Sequence, residues 1–406
     1  MKRFLFILVM VIVICGSCTT NCVADDFEEE EYDEYIDDYL ATTSKVDGDI
    51  NLNSRIAVAY DRENNRVIWG KDENKKTAMA STTKIMTAIV TIENSNIDDQ
   101  VEISAKAAAT GGSRLGLKKG DKISLRDLLY GLMLRSGNDA AVAIAEYVAG
   151  SVPEFANMMN QKADKLHLKT TNFVTPHGLD DPEHYTTATE LAKIADYALD
   201  NETFCKIVGS KNYTITINGY PKSINNTNEL LGYLPNVYGV KTGFTNNAGR
   251  CLVTSIKKDN MDIITIVIQA DTKKDRTKDS INLINYIFGN YEKINIQEIV
   301  DKEFKEWCDI NLGRIHVKKA NIDCYEVYKD DLKQDTLILN KNQISKIKTE
   351  INAVYNYEAP IDANTLIGEQ KILVDNEIIE IDKIYFKNFI DKKCVWDYFK
   401  LCMTKL

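Results

Sequence analysis

Met79-Ala80-Ser81-Thr82-Thr83-Lys84-Ile85-Met86-Thr87 decides how this chain is read. Ser81 and Lys84 stand three residues apart, which puts them on one face of a helix, one turn apart. Ile85, Ala88, Ile89 and Ile92 then repeat at helical spacing, so the helix behind the pair is predicted to be largely buried. An alcohol is a weak nucleophile until a base removes its proton. A lysine serves as that base only where burial or a neighbouring cation disfavours its ammonium form. The head of a buried helix meets the first condition, and the free N–H groups of its first turn favour an oxyanion. Ser-x-x-Lys by itself is a common pattern, also present at Ser255/Lys258 and Ser345/Lys348. Ser255 falls inside an alternating apolar run, Leu252 to Gln269, that predicts a strand pair. Ser345 lies in a polar stretch rich in Lys and Asn. Only Ser81 opens an apolar helix.

Two further signals flank this one. Leu125 to Leu134 is a second apolar helix that ends at Arg135-Ser136-Gly137-Asn138-Asp139, and a third, Ala140 to Val148, begins at once. Ser136 and Asn138 are thereby predicted on a tight loop between helices. Capping of the Ala140 helix is the plain structural reading for both residues. Tyr238-Gly239-Val240-Lys241-Thr242-Gly243-Phe244-Thr245 is the other signal, and it holds the single Lys-Thr-Gly of the chain. Lys241 and Thr242 lie on or beside a strand ahead of the strand pair. A lysine and a hydroxyl in that place suit a carboxylate, and Gly243 permits close backbone approach to a ligand. Arg55 to Tyr60 and Arg66 to Gly70 predict a hairpin. Phe155 to Leu166 and Ala188 to Leu199 predict helices, and Thr171 to Thr187 a loop in which His177 and His184 are satisfied histidines without a chemical role.

The chain opens with Lys2 and Arg3, an apolar core of eleven residues from Phe4 to Ile14, and small residues at Cys22-Val23-Ala24. Residues 1–24 therefore read as a secretory signal, with a lipoprotein site at Cys18 and an uncleaved anchor as alternatives. The expected place of work is outside the cytoplasm. Ten carboxylates between Asp25 and Tyr39 mark residues 25–50 as an acidic, solvated linker. They account for much of the net charge of −10, which argues against a nucleic-acid partner. Six cysteines lie beyond the signal without Cys-x-x-Cys or framework spacing, so buried free thiols are expected, with a disulfide in an exported protein as the alternative. The four histidines show no ligand spacing, so neither a metal nor a cofactor is expected.

Ser81-x-x-Lys84, Ser136-x-Asn138 and Lys241-Thr242-Gly243, in that order, are specific together where each alone is not. On these motifs, on Thr171-Asn172-Phe173…Gly178-Leu179, on Phe244-Thr245…Ala248-Gly249 and on a tail with Ala359-Pro360-Ile361…Gly368, the chain resembles the low-molecular-weight penicillin-binding proteins, the serine D-Ala-D-Ala carboxypeptidases, nearest their Gram-positive branch. The resemblance implies an α+β fold: a β-lactamase/transpeptidase-like domain, an antiparallel sheet flanked by helices, over 51–290, then a small β-rich domain over 291–382. It also implies the roles. Ser81 attacks the peptide bond between two D-alanines of a peptidoglycan stem peptide, Lys84 takes its proton, and Lys241 helps to keep Lys84 neutral. Ser136 relays a proton to the leaving amine, and Asn138 positions Lys84 and the substrate. The N–H groups of Ser81 and Phe244 hold the oxyanion, while Lys241 and Thr242 grip the terminal carboxylate beside Gly243. β-Lactams are expected to inhibit by acylating Ser81.

A β-lactamase is the nearest rival, but class A enzymes need a glutamate to activate the deacylating water, and the matching region reads Asn172-Phe173-Val174-Thr175 with no carboxylate before Asp180. A transpeptidase of the high-molecular-weight type usually carries a large extra N-terminal domain. A non-catalytic scaffold that binds peptidoglycan or β-lactam has no need of both lysines. Finally, Phe386, Phe389, Ile390, Trp396, Phe399 and Met403 recur at helical spacing among lysines, so 383–406 is expected to form an amphipathic helix on a membrane surface, with docking on the β domain as its alternative.

Overall fold

The computed structural model describes residues 50–403; the expected signal and most of the acidic linker lie outside the described residues. The described residues open with the predicted hairpin, β1 (Ile56–Asp61) and β2 (Arg66–Lys71). A 3-10 turn over Ala80–Thr83 runs into α1 (Lys84–Asn94). There follow β3 (Gln100–Glu102), α2 (Ala105–Ala108) and β4 (Lys122–Ser124). Helices α3 (Leu125–Leu134), α4 (Asn138–Ala149), α5 (Val152–Lys165), α6 (Ala188–Leu199) and α7 (Glu202–Val208) come next. After them come β5 (Asn212–Ile217), β6 (Tyr220–Asn225), β7 (Val237–Thr245), β8 (Gly249–Lys258), β9 (Met261–Ala270) and α8 (Lys273–Asn290).

The central sheet is antiparallel, in the order β2-β1-β9-β8-β7, so the strand carrying Lys241-Thr242-Gly243 is an edge. Alternate residues of one strand serve opposite faces. Val58, Ile264, Ile266 and Ile268 pack with α1, α3 and α4 in the larger core, while Ala57, Ala59, Ile263 and Val267 meet Ile281, Ile284 and Ile287 of α8. Because both faces are covered, β9 is buried nearly end to end and reads as an unbroken apolar run, not as the alternation expected of it. Lys84 to Thr91 of α1 are buried on every side. Ile85 and Ile89 are among them, and each fully buried aliphatic of this size contributes about 1.5–3 kcal/mol.

The second part contains β10 (Tyr291–Asn295), α9 (Ile296–Asn311), β11 (His316–Lys318), β12 (Val327–Lys329), β13 (Thr336–Asn340), α10 (Lys341–Ile344), β14 (Ile347–Ala353), β15 (Asn356–Glu358), β16 (Leu366–Val374) and β17 (Glu377–Phe386). Its largest sheet runs β12-β17-β16-β14, beside two two-stranded sheets. It ends in α11 (Val395–Met403). Two expectations change here. Strand β17 continues to Phe386, and Ile384, Phe386 and Ile390 are buried in the core of the β part, so the terminal helix starts at Val395 and not near 383. The cysteines of the described residues are unbridged, but Cys324, Cys394 and Cys402 are exposed, and only Cys251 is fully buried.

Candidate active site

Ser81 stands in the 3-10 turn that heads α1, not in the α-helix itself. The turn is tight and held from inside: Thr82 Oγ1 donates to Met79 O at 2.5 Å and Thr83 Oγ1 to Ala80 O at 2.8 Å. Ala80, immediately before Ser81, has φ of 47°, a left-handed conformation that non-glycine residues adopt only when their surroundings impose it. Gly178, at φ 85°, is part of that imposition. A Cβ added there would lie 1.8 Å from Ala80 O and 2.5 Å from Thr83 Oγ1.

Lys84, fully buried one turn later, brings its Nζ to three acceptors: Ser81 Oγ at 2.8 Å, Asn138 Oδ1 at 2.8 Å and His177 O at 2.9 Å. Two of these are fixed acceptors, a carbonyl and an amide oxygen. A neutral amine has two hydrogens and one lone pair, so with both hydrogens on Asn138 and His177 the lone pair faces the Ser81 hydroxyl. The amide of Asn138 is oriented from both ends, because its Nδ2 donates to Gly111 O at 2.8 Å. The loop that carries Gly111 is anchored in turn by Asp139. This buried carboxylate accepts from the N–H groups of Leu115, Gly116 and Leu117 at 2.8, 2.8 and 3.0 Å.

Ser136 and Asn138 flank the start of α4 as predicted, yet neither caps it. The N-cap is Gly137, which has no side chain to bond the first turn. Asn138 is instead spent on Lys84 and Gly111. Ser136, at φ 56° and fully buried, keeps a hydroxyl without a hydrogen-bond partner among the described residues. An orphaned buried hydroxyl is disfavoured unless a ligand completes it.

On β7, Lys241 and Gly243 share a face. A Cβ at Gly243 would lie 3.1 Å from Ser81 N, 3.2 Å from Ala80 Cβ and 3.3 Å from Thr82 N. Strand β7 thus comes close at this glycine to the backbone of Ser81 and its neighbours. The buried Lys241 Nζ donates to Thr242 O at 2.9 Å. Thr242 and Thr227 share a hydrogen bond between hydroxyls at 2.8 Å, so the pair has one proton left to donate. Phe244 lies next along the strand, with the Arg250 guanidinium 3.9 Å above its ring. Asp180, the first carboxylate after the Asn172 stretch, is committed elsewhere: it accepts from Thr245 Oγ1 at 2.6 Å and from Asn247 N at 3.2 Å, pinning the β7–β8 turn.

Sequence reasoning missed the histidines' parts. His177 supplies a backbone carbonyl to Lys84, and no side-chain pattern announces such a contact. His184 is satisfied, as expected, but by Thr83 of the turn that holds Ser81. Burial lowers the His177 pKa to about 3 and that of His184 to about 4. An unfolded histidine binds its proton near 6.5. Between that value and about 4 the unfolded state holds more protons than the native state at His184, so its contribution to stability falls as the pH falls. His184→Phe should therefore flatten the acid side of a plot of unfolding free energy against pH, removing on the order of 3 kcal/mol of slope between pH 6.5 and 4. Equal slopes in chemical denaturation of the two proteins would contradict it.

Comparison with known proteins gives this geometry a family. A family model described as D-alanyl-D-alanine carboxypeptidase matches residues 41–272. D-alanyl-D-alanine carboxypeptidase DacF of Bacillus subtilis is 32% identical over 346 residues, covering 84% of this chain and 86% of the relative. DacD of Escherichia coli is 33% identical over 327 residues, covering 77% and 80%. Among solved structures, D-alanyl-D-alanine carboxypeptidase DacD from Francisella tularensis superposes with a TM-score of 0.71 at 26% identity, covering 85% of this chain and 95% of that one. Penicillin binding protein 5 from Haemophilus influenzae gives 0.65 at 27%, covering 85% and 99%. The chain belongs to the D-alanyl-D-alanine carboxypeptidase family.

Proposed function

We propose that this protein removes the terminal D-alanine from peptidoglycan stem peptides through an acyl-enzyme on Ser81, outside the cytoplasm, and that β-lactams inhibit it by acylating the same residue. The observation that carries the reading is the Lys84 amine, seated 2.8 Å from Ser81 Oγ and steered there by Asn138 and the His177 carbonyl. Lys84 takes the Ser81 proton as the hydroxyl attacks the carbonyl carbon. The oxyanion forms at the head of α1, where the N–H of Ser81 and that of Phe244 on β7 receive it. Ser136, whose hydroxyl is otherwise unpartnered among the described residues, passes a proton to the departing amine. The substrate carboxylate binds Lys241 and takes the spare proton of the Thr242–Thr227 pair. Water then releases the shortened peptide. Asp180 is occupied with the β7–β8 turn, in keeping with slow turnover of a β-lactam adduct.

Incubation with benzylpenicillin followed by peptide mapping should find a one-to-one adduct on the peptide containing Ser81, and a D-Ala-D-Ala peptide should yield free D-alanine. Drug destroyed without an adduct would make the protein a β-lactamase. Drug left intact would make it a scaffold.

We further propose that the C-terminal segment associates with an anionic membrane surface. Among the described residues no helix is long and apolar enough to cross a membrane. Helix α11, however, exposes Val395, Trp396, Phe399 and Met403, with Lys392, Lys393 and Lys400 close by in sequence. Apolar side chains with basic neighbours suit an interfacial helix. Deleting residues 391–406 should release the protein from vesicles containing anionic lipid in a flotation assay; unchanged flotation would reject the proposal.

A further inference from the structure

We propose that His184 is a positioning residue for the nucleophile: acting through Thr83, it holds the Ala80 carbonyl and with it the turn that aims Ser81. The inference rests on Ser81 being the nucleophile and goes beyond it, since His184 touches none of the reacting atoms.

Proton accounting fixes the contact. The Thr83 hydroxyl has one hydrogen, and the 2.8 Å bond to Ala80 O uses it. Thr83 Oγ1 also lies 2.8 Å from His184 Nε2, so that ring nitrogen must be the donor. The other ring nitrogen agrees: His184 Nδ1 accepts the N–H of Val174 at 3.0 Å and therefore carries no proton. One tautomer satisfies all three bonds. The ring is buried and stands edge-on to Phe173, with centroids 5.7 Å apart, so it has little room to turn.

What the chain of bonds restrains is not an ordinary peptide. Ala80 is held in a conformation foreign to alanine, and relaxing it would rotate the following residue, Ser81. The same loop sends three contacts to this place. His177 O reaches Lys84, Gly178 closes over Ala80 O, and His184 secures Thr83. Base and nucleophile are thus referenced to one segment, and the 2.8 Å separation between them depends on it. A histidine that only filled the core would have no reason to place its single N–H on the residue that tethers Ala80.

The test uses the full-length protein and benzylpenicillin over a range of concentrations, so that the acylation rate constant and the non-covalent Kd are resolved separately by quenched mass spectrometry. His184→Phe keeps the ring and loses both nitrogens. Thr83→Val keeps the volume and loses the hydroxyl. Each should lower the acylation rate constant by about 10- to 100-fold, the scale of a misplaced reacting group, with Kd within about twofold of wild type. The double variant should be no slower than the slower single variant, as for residues acting in one chain. His184→Gln, which retains an N–H donor, should recover part of the loss. Acylation within about threefold of wild type, a Kd that rises as much as the rate constant falls, or losses that multiply in the double variant would each overturn the proposal. If His184→Phe shows no cooperative unfolding, Thr83→Val decides the matter, with Thr83→Ser as its rescue. A wild-type adduct on Ser81 upholds the nucleophile whatever these variants do, so the two readings fail separately.

Discussion

Lys84→Met should slow acylation of Ser81 by benzylpenicillin by about 10³-fold, within the range that a positioned general base supplies. Methionine retains an unbranched, flexible side chain in a fully buried position while removing the nitrogen that contacts the hydroxyl. Non-covalent binding should change little, because the groups assigned to the carboxylate, Lys241 and Thr242, lie on β7 and not on α1. The loss should therefore appear in the acylation rate constant and not in Kd. A time course of adduct formation by mass spectrometry decides it: formation at the wild-type rate would remove Lys84 as the base. The Asn138 amide and the His177 carbonyl would lose a donor in this variant, so a lower melting temperature is an expected companion.

Gly178→Ala should destabilise the protein by about 3–5 kcal/mol and cost most of the acylation rate. Two effects combine. The residue has φ of 85°, where a side chain is strained, and its Cβ would stand 1.8 Å from the carbonyl oxygen of Ala80. The obstacle is backbone, so no side chain can swing aside. The adjoining turn must move instead, and that turn holds Ser81. Gly120→Ala separates the two effects, since Gly120 has φ of 83° with nothing within 4 Å of the added carbon. It should lose only the conformational part, about 1 kcal/mol, and acylate normally. Melting temperatures by scanning calorimetry, read beside the adduct yield, compare the variants; equal shifts for both would show that contact with Ala80 is unimportant.

The Ser81–Lys84 pair, the proposed nucleophile and base, was legible because its relation is local. Three residues of spacing at the head of an apolar run carry the geometry, and the structure returns a 2.8 Å contact. The pairing of Lys84 with Asn138 came through the order of motifs, not through any visible distance. What stayed hidden has a common cause. Gly178 is a glycine because of a residue 98 positions earlier, His177 acts through its carbonyl, and Asp139 works by gathering backbone N–H groups. None of these leaves a side-chain pattern. The terminal helix was overextended for a different reason. Phe386 and Ile390 fit helical spacing, but Asp382, Ile384 and Phe386 are buried with the period of two that marks a strand, and that period was the better signal.

Strand β1 pairs along its whole length with β9, Ile56 facing Ile268, so the first hairpin of the domain has its inner neighbour only after residue 268 has been made. Ser81 and the edge strand that flanks it are similarly far apart in the chain. Such a topology folds slowly, because distant segments must meet before their contacts reward the closure. It also makes the capacity to bind penicillin an all-or-nothing report on the domain. A chain truncated before β7, or one still searching for its register, has Ser81 and Lys84 but no wall beside them. In a refolding reaction, then, the fraction of molecules that take up a fluorescent penicillin should rise with the last phase of native structure and not with the formation of the helices. The antibiotic would thereby count completed molecules.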